Sequence, residues 1–93
     1  MTSHEIAYRV PLRVDRSDAP RVYRLINTSA ETLTGLRVTL LGSGVMAPLS
    51  RLRVQPGGFV SIVVRGDNLS RSSVLVVRWF RPGGEEYLWR VSF

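Results

Sequence analysis

Residue types that commonly perform catalysis or hold metal ions are scarce in this chain. It contains one histidine, His4, and neither cysteine nor lysine among its 93 residues. Serine catalysis needs a histidine held between the nucleophile and an acid, and a structural zinc site takes several cysteine or histidine ligands. His4 precedes every segment with a strand-like pattern, so we interpret it as a solvated N-terminal residue. We therefore expect no catalytic site, no metal site and no cofactor, and predict that the chain is not an enzyme.

Two further groups of residues have both a chemical and a structural interpretation. Glu85 and Glu86 could act as an acid pair, but adjacent carboxylates beside a turn are usually solvated. The segments Gly42-Ser43-Gly44, Pro56-Gly57-Gly58 and Pro82-Gly83-Gly84 have the glycine content of phosphate-binding loops. A P-loop also needs a lysine and a following helix, and the sequence supplies neither. We interpret all of these segments as turns.

The strongest local pattern lies at the C-terminal end. Pro82-Gly83-Gly84 separates residues 74–81 from residues 85–93, and both runs are rich in β-branched and aromatic side chains. Two β-prone runs separated by a pair of glycines predict a β-hairpin. If Gly83 and Gly84 form a two-residue loop, one face of this hairpin combines arginine with aromatic side chains.

That face is our candidate binding site. The residues predicted to contact a protein partner are Arg78, Phe80, Tyr87 and Trp89. The two-residue loop pairs Arg78 with Trp89, so that the guanidinium can stack on the indole. Aromatic and arginine side chains are common interface anchors. A shift of one residue would regroup all of these side chains, and the alternative is that both tryptophans fill the core.

Alternation between turn signals predicts seven short strands and no convincing helix. The predicted strands cover residues 6–12, 21–26, 36–41, 51–54, 59–65, 74–81 and 85–93. Pro11 has no N–H to donate, which places the first strand at a sheet edge. The inward parity of the strands predicts a core that contains Val38, Leu40, Val60, Ile62, Val64, Leu75 and Val77.

This layout resembles the immunoglobulin-like superfamily, in particular the CARDB-type and fibronectin type III-like domains of bacterial proteins. The resemblance covers most of residues 21–93. It lies in the strand that runs into Asn27-Thr28-Ser29, the alternating strand 36–41, and the turn and strand from Val54 to Val60. It implies an all-β, seven-stranded antiparallel immunoglobulin-like sandwich; a small closed β-barrel is the alternative. It also implies a non-catalytic protein-interaction or structural module of a larger bacterial protein or assembly.

The basic composition suggests a second function. The net charge is +6, and all thirteen basic residues are arginines. Arginine binds phosphate and carboxylate groups through two parallel hydrogen bonds, so the alternative is an arginine-dependent domain for nucleic acid or another polyanion. A genome biased toward arginine codons would give the same composition. Arg37, Arg78 and Arg90 fall on strands of one predicted sheet, but the two-residue loop places Arg90 on the opposite face from Arg78.

The length suits a single domain over residues 1–93, with residues 1–5 flexible. No N-terminal apolar segment has the pattern of a signal peptide. The longest apolar run, Val74–Val77, is far too short to cross a membrane, so we expect no membrane span. The sequence does not indicate a cellular compartment, and we expect the protein to lie in the cytoplasm if the chain is complete.

Overall fold

In the computed structural model, which describes residues 9–93, most of the chain folds into β-strands. The elements are β1 (Leu12–Asp15), β2 (Val22–Asn27), β3 (Leu33–Gly42), β4 (Val45–Met46), β5 (Leu49–Val54), β6 (Phe59–Arg65), α1 (Leu69–Ser72), β7 (Ser73–Phe80) and β8 (Glu86–Ser92). The first sheet has the strand order β1-β2-β6-β4, and the second sheet has the order β5-β3-β7-β8. All neighbouring strands are antiparallel.

The two four-stranded sheets enclose one apolar core, which confirms the predicted all-β sandwich. The sheets are not closed on each other, so the alternative of a closed barrel is wrong. The described part of the chain has eight strands rather than seven. The additional strand is β4, which follows the predicted break at Gly42-Ser43-Gly44 and pairs with β6 through Val45 opposite Arg65.

The first strand and the connection between β6 and β7 also differ from the prediction. β1 begins at Leu12, whereas the predicted strand covered residues 6–12; residues 1–8, including His4 and the predicted flexible residues 1–5, lie outside the described part. The connection before β7 contains the one-turn helix α1, where the sequence pattern predicted no convincing helix. The N–H groups of Arg71 and Ser72 donate to the carbonyl of Asn68. Leu69 is 7% exposed, so its burial ties this turn to the core.

Both sheets contribute large side chains to the core. The largest side chains with less than 2% exposure include Leu25 and Ile62 from the first sheet and Leu33, Leu36 and Trp79 from the second. Most of the residues predicted for the core are buried, namely Val38, Ile62, Val64, Leu75 and Val77. The remaining two, Leu40 and Val60, are half-buried and pack at the margin of the same core.

A single buried polar side chain, that of Asn27, lies at the end of β2 among the described residues. Its Nδ2 donates to the carbonyl of Val54 at 3.0 Å and to the carbonyl of Glu31 at 2.8 Å. Its Oδ1 accepts from the N–H and the Oγ of Ser29 at 2.9 and 2.7 Å. Since Val54 ends β5, these bonds tie the first sheet to the second and also close the β2–β3 loop.

The alternation of β6 gives a test of the sandwich. Ile62 is fully buried, whereas its neighbour Val63 is 49% exposed on the outer face. We expect Ile62→Ala to reduce the free energy of unfolding by about 2–5 kcal/mol, because it leaves a cavity between the sheets. We expect Val63→Ala to cost less than about 0.5 kcal/mol. Urea denaturation measures both values, and equal losses would contradict the assigned faces of β6.

Candidate functional site

The C-terminal hairpin is present, but its turn is one residue longer than the predicted loop. The N–H of Arg81 donates to the carbonyl of Glu85, and the N–H of Gly84 donates to the carbonyl of Arg81, both at 2.9 Å. Pro82, Gly83 and Gly84 therefore form a three-residue loop. Gly84 has a φ of 95°. This left-handed conformation is the one required where a three-residue hairpin loop closes through a bulge.

The longer loop shifts the pairing of the two strands by one residue. Arg78 lies opposite Leu88, and Phe80 lies opposite Glu86. The predicted pairing of Arg78 with Trp89 is therefore wrong. Because successive side chains of a strand point to opposite faces, the shift exchanges the faces of β8 relative to β7.

The structure consequently does not bring the four predicted site residues together. Arg78 and Phe80 are exposed on the outer face of the second sheet. Tyr87 and Trp89 are half-buried and pack against the core. Trp79 is fully buried, and its ring stacks on that of Tyr87 with the centroids 6.2 Å apart. Of the four, only Arg78 and Phe80 lie where a partner could bind to this outer face.

The same shift unites arginines that the predicted register separated. Arg37 on β3 lies directly opposite Arg78 on β7. Arg90 lies opposite Val76, two positions along β7 from Arg78. Residues two apart in a strand share a face, so Arg90 lies on the outer face with Arg78. The expectation that Arg90 lies on the opposite face is wrong.

Strand β5 adds two more arginines to this surface. Arg53 is exposed between the inward-facing Leu52 and Val54. Arg51 is exposed in a bulge beside Arg37, with a φ of 59°. We call this surface the arginine face, and its residues are Arg37, Arg51, Arg53, Arg78 and Arg90. The pairing of β5 with β3 places Arg51 beside Arg37 and Arg53 beside Thr34 and Gly35 of the same strand.

The charges of the arginine face are largely unbalanced. Glu86 is the only carboxylate among the strand residues of the second sheet. None of the five arginines forms an ion pair with another described residue. The paired arginines lie elsewhere: Arg24 bonds Asp18 at 2.6 Å. Arg81 makes two hydrogen bonds to Glu31, at 3.0 and 2.9 Å.

Two exposed apolar side chains lie among these arginines. Phe80 is 37% exposed, and Leu88 is 51% exposed. The ring of Phe80 lies over Gly35, which has a φ of 59°. A Cβ atom at Gly35 would approach the ring Cδ2 to 2.8 Å. Glycine at this position therefore leaves room for the aromatic ring against the neighbouring strand.

The two carboxylates with perturbed titration also lie away from the arginine face. Hydrogen bonds from the backbone and side chain of Ser17 lower the pKa of Asp15, and the charge of Arg24 lowers it further. Hydrogen bonds from Arg81 lower the pKa of Glu31. Both carboxylates are therefore ionised at neutral pH and balance arginines that are not part of the arginine face.

Two cavities formed by the described residues contain few side chains that could take part in catalysis. One shallow cavity of about 330 Å³ lies beside the β3–β4 turn and is lined by Thr39, Leu40, Gly44, Val45, Met46 and Pro48. A second cavity, of about 400 Å³, lies near α1, and Asp67 provides its only carboxylate. No cluster of three acidic or histidine side chains that could hold a metal ion occurs within residues 9–93. The candidate site is therefore the arginine face itself.

No protein-family model matches the chain, and no curated protein and no solved structure matches it. Within the described residues, no helix has the length and apolar character to span a bilayer.

The exchanged faces of β8 give a test. Trp89 packs against the core, whereas Arg78 is exposed. We expect Trp89→Ala to reduce the free energy of unfolding by about 1–3 kcal/mol, and Arg78→Ala to change it by less than about 0.5 kcal/mol. Urea denaturation followed by circular dichroism measures both. If the Trp89→Ala protein were as stable as the wild type, the result would contradict the observed register and favour the two-residue loop, which places Trp89 on the outer face.

The Glu31–Arg81 pair gives a test by pH. Since the pKa of Glu31 is lowered in the folded state, its contribution to stability is present above its unfolded pKa and is lost as the pH falls through the folded pKa. We expect the Tm of Glu31→Gln to fall less than that of the wild type on acidification below about pH 5. Glu85→Gln is the matched control, because Glu85 is exposed and forms no ion pair with a described residue. Parallel pH profiles for Glu31→Gln and wild type would contradict a role for this pair.

Proposed function

We propose that this chain is a non-catalytic protein-interaction module whose arginine face binds an acidic surface of a partner protein. The observation on which the proposal depends is the direct pairing of Arg37 with Arg78. Like charges placed directly opposite each other in a sheet destabilise it. Carboxylates of a bound partner would remove this repulsion and would bond the planar guanidinium groups through two parallel hydrogen bonds.

The apolar side chains of the face favour a protein over a nucleic acid. Phe80 and Leu88 are exposed among the arginines. Protein interfaces combine aromatic and aliphatic side chains with arginine, whereas the affinity for nucleic acids comes mainly from contacts with phosphate. An exposed leucine gains nothing from a phosphate backbone. Binding of nucleic acid by the same arginines is the competing outcome of the experiment below.

The strand order supports the interpretation of a binding module of the immunoglobulin-like type. In constant-type immunoglobulin domains the first sheet contains the first, second, fifth and fourth strands, and the second sheet contains the third, sixth and seventh. The sheet β1-β2-β6-β4 matches the first sheet of these domains if β6 takes the position of the fifth strand. The strands β3, β7 and β8 share one sheet, as the third, sixth and seventh strands of constant-type domains do, and β5 is an addition at the edge of this sheet. Domains of this type commonly serve as binding or spacing modules of larger bacterial proteins.

Two fluorescent probes distinguish the two partners. One is a peptide that alternates acidic residues with leucine and phenylalanine, and the other is a short DNA duplex. We expect the peptide to bind more tightly than the duplex at physiological salt. Arg37→Glu and Arg78→Glu should each weaken peptide binding by about tenfold or more. Each substitution places a carboxylate where it repels the carboxylates of the peptide. Fluorescence anisotropy measures both affinities.

Arg13→Glu is the control. Arg13 is an exposed arginine of β1 in the first sheet, so this substitution makes the same charge change away from the arginine face. It should leave peptide binding unchanged. Tighter binding of the duplex, with a steep loss of affinity as salt is added, would favour the polyanion function instead. Failure to bind either probe, or equal effects of Arg13→Glu and Arg78→Glu, would show that the proposal is wrong.

A further inference from the structure

Among residues 9–93, the second sheet has a long unpaired edge at β8. The other three edges are interrupted: β1 has four residues, β4 has two, and β5 contains register shifts and the positive φ of Arg51. β8 has seven residues, contains neither proline nor glycine, and pairs with β7 without a register shift. Regular edges of this kind readily pair with another strand. No described strand pairs with the outer side of β8.

The hydrogen bond of the turn fixes which backbone groups of β8 face outward. The N–H of Arg81 donates to the carbonyl of Glu85, so these two residues form a hydrogen-bonded pair. Bonded and unbonded pairs alternate along an antiparallel ladder. The N–H and C=O groups of Glu86, Leu88 and Arg90 therefore point away from β7. The next outward carbonyl, that of Ser92, accepts a hydrogen bond from Nη2 of Arg16 at 2.8 Å, which closes the free edge at that end.

We propose that two copies of this chain pair through their β8 strands, antiparallel and centred on Leu88. In this register Leu88 lies opposite Leu88 of the second copy, and Glu86 lies opposite Arg90 of the second copy. All three outward-facing residues then form hydrogen-bonded pairs, because each meets another residue whose N–H and C=O also face outward. The two second sheets join into one continuous sheet.

The side chains that meet in this register are complementary. Glu86, Leu88 and Arg90 are all exposed on the outer face. Glu86 meets an arginine at both ends of the junction, and opposite charges directly across a sheet stabilise the pair. Neither Glu86 nor Arg90 forms an ion pair with a described residue of its own chain. Leu88, which is 51% exposed, loses exposed apolar surface against its own copy.

The inner face of the junction is complementary too. Tyr87 and Trp89 are half-buried at the edge of the core, and the same register places Tyr87 opposite Trp89 of the second copy. Aromatic pairs across neighbouring strands are among the favourable cross-strand contacts. A shift of two residues in either direction would place Glu86 opposite Leu88 or Ser92 and would lose both charge pairs. The centred register is therefore the only one that satisfies backbone and side chains together.

Reciprocal charge variants test the pairing. Analytical ultracentrifugation of the full chain from about 1 µM to 1 mM, the range of weak association, should show a concentration-dependent shift from the 10.4 kDa monomer to a dimer. Glu86→Arg alone and Arg90→Glu alone place like charges at both ends of the junction. Each should weaken dimerisation by about tenfold or more. The double variant, with both changes in one chain, should dimerise again, and so should an equimolar mixture of the two single variants.

Controls and a second measurement keep the outcome clear. Glu85→Arg and Arg13→Glu make the same charge changes outside the junction and should leave dimerisation unchanged. In hydrogen exchange, the amides of Glu86, Leu88 and Arg90 should gain protection with concentration. Those of Tyr87 and Trp89 should be protected throughout, because they already bond β7. A wild type that stays monomeric at about 1 mM, or single variants that dimerise as the wild type does, would overturn the proposal.

Discussion

The hydrogen bonds of Asn27 hold together the end of the sandwich on which the arrangement of the second sheet depends. This buried side chain bonds the end of β5 through Val54 and the β2–β3 loop through Glu31. The Glu31 carboxylate in turn accepts two hydrogen bonds from the guanidinium of Arg81, which begins the turn of the hairpin. A continuous polar path therefore joins the end of β2 to the β7–β8 turn. Asn27 is the buried member of this path, and loss of its partners would cost about 1–3 kcal/mol; the partly exposed Glu31–Arg81 pair then links this end of the first sheet to the hairpin turn.

The sequence predicted the sandwich well, and it predicted the candidate site poorly, for one physical reason. The alternation of apolar residues identifies the inner face within a strand, so the burial of Val38, Ile62 and Val77 followed directly. The relative register of two strands depends on the length of their turn, and both hairpin loops are compatible with Pro82-Gly83-Gly84. One residue decided whether Trp89 or Leu88 faces solvent. Elements that depend on a single buried contact, such as α1 with Leu69, leave an even weaker pattern.

The strands of each sheet carry one carboxylate, but the second sheet has five strand arginines where the first has three, Arg13, Arg24 and Arg65. Arg24, in the first sheet, is balanced by Asp18, and Arg81 is balanced by Glu31 across the end of the sandwich. The arginines of the second sheet have one carboxylate, Glu86, among them. Pairing of two β8 strands about a two-fold axis perpendicular to the sheet would place both arginine faces on the same side of one sheet. A larger acidic partner would then meet two equivalent surfaces, which raises the apparent affinity without any new contact.

The glycine beneath Phe80 has a consequence for the entropy of association. The ring lies against β3 because Gly35 has no Cβ atom to displace it. An exposed aromatic side chain that is already confined gives up little rotational freedom when a partner covers it, and ordering a free side chain costs about 0.5–1.5 kcal/mol. Any larger residue at Gly35 would lift the ring from the strand and would also have to adopt a left-handed backbone conformation. Gly35 thus preorganises a contact residue on the opposite strand without touching the partner itself.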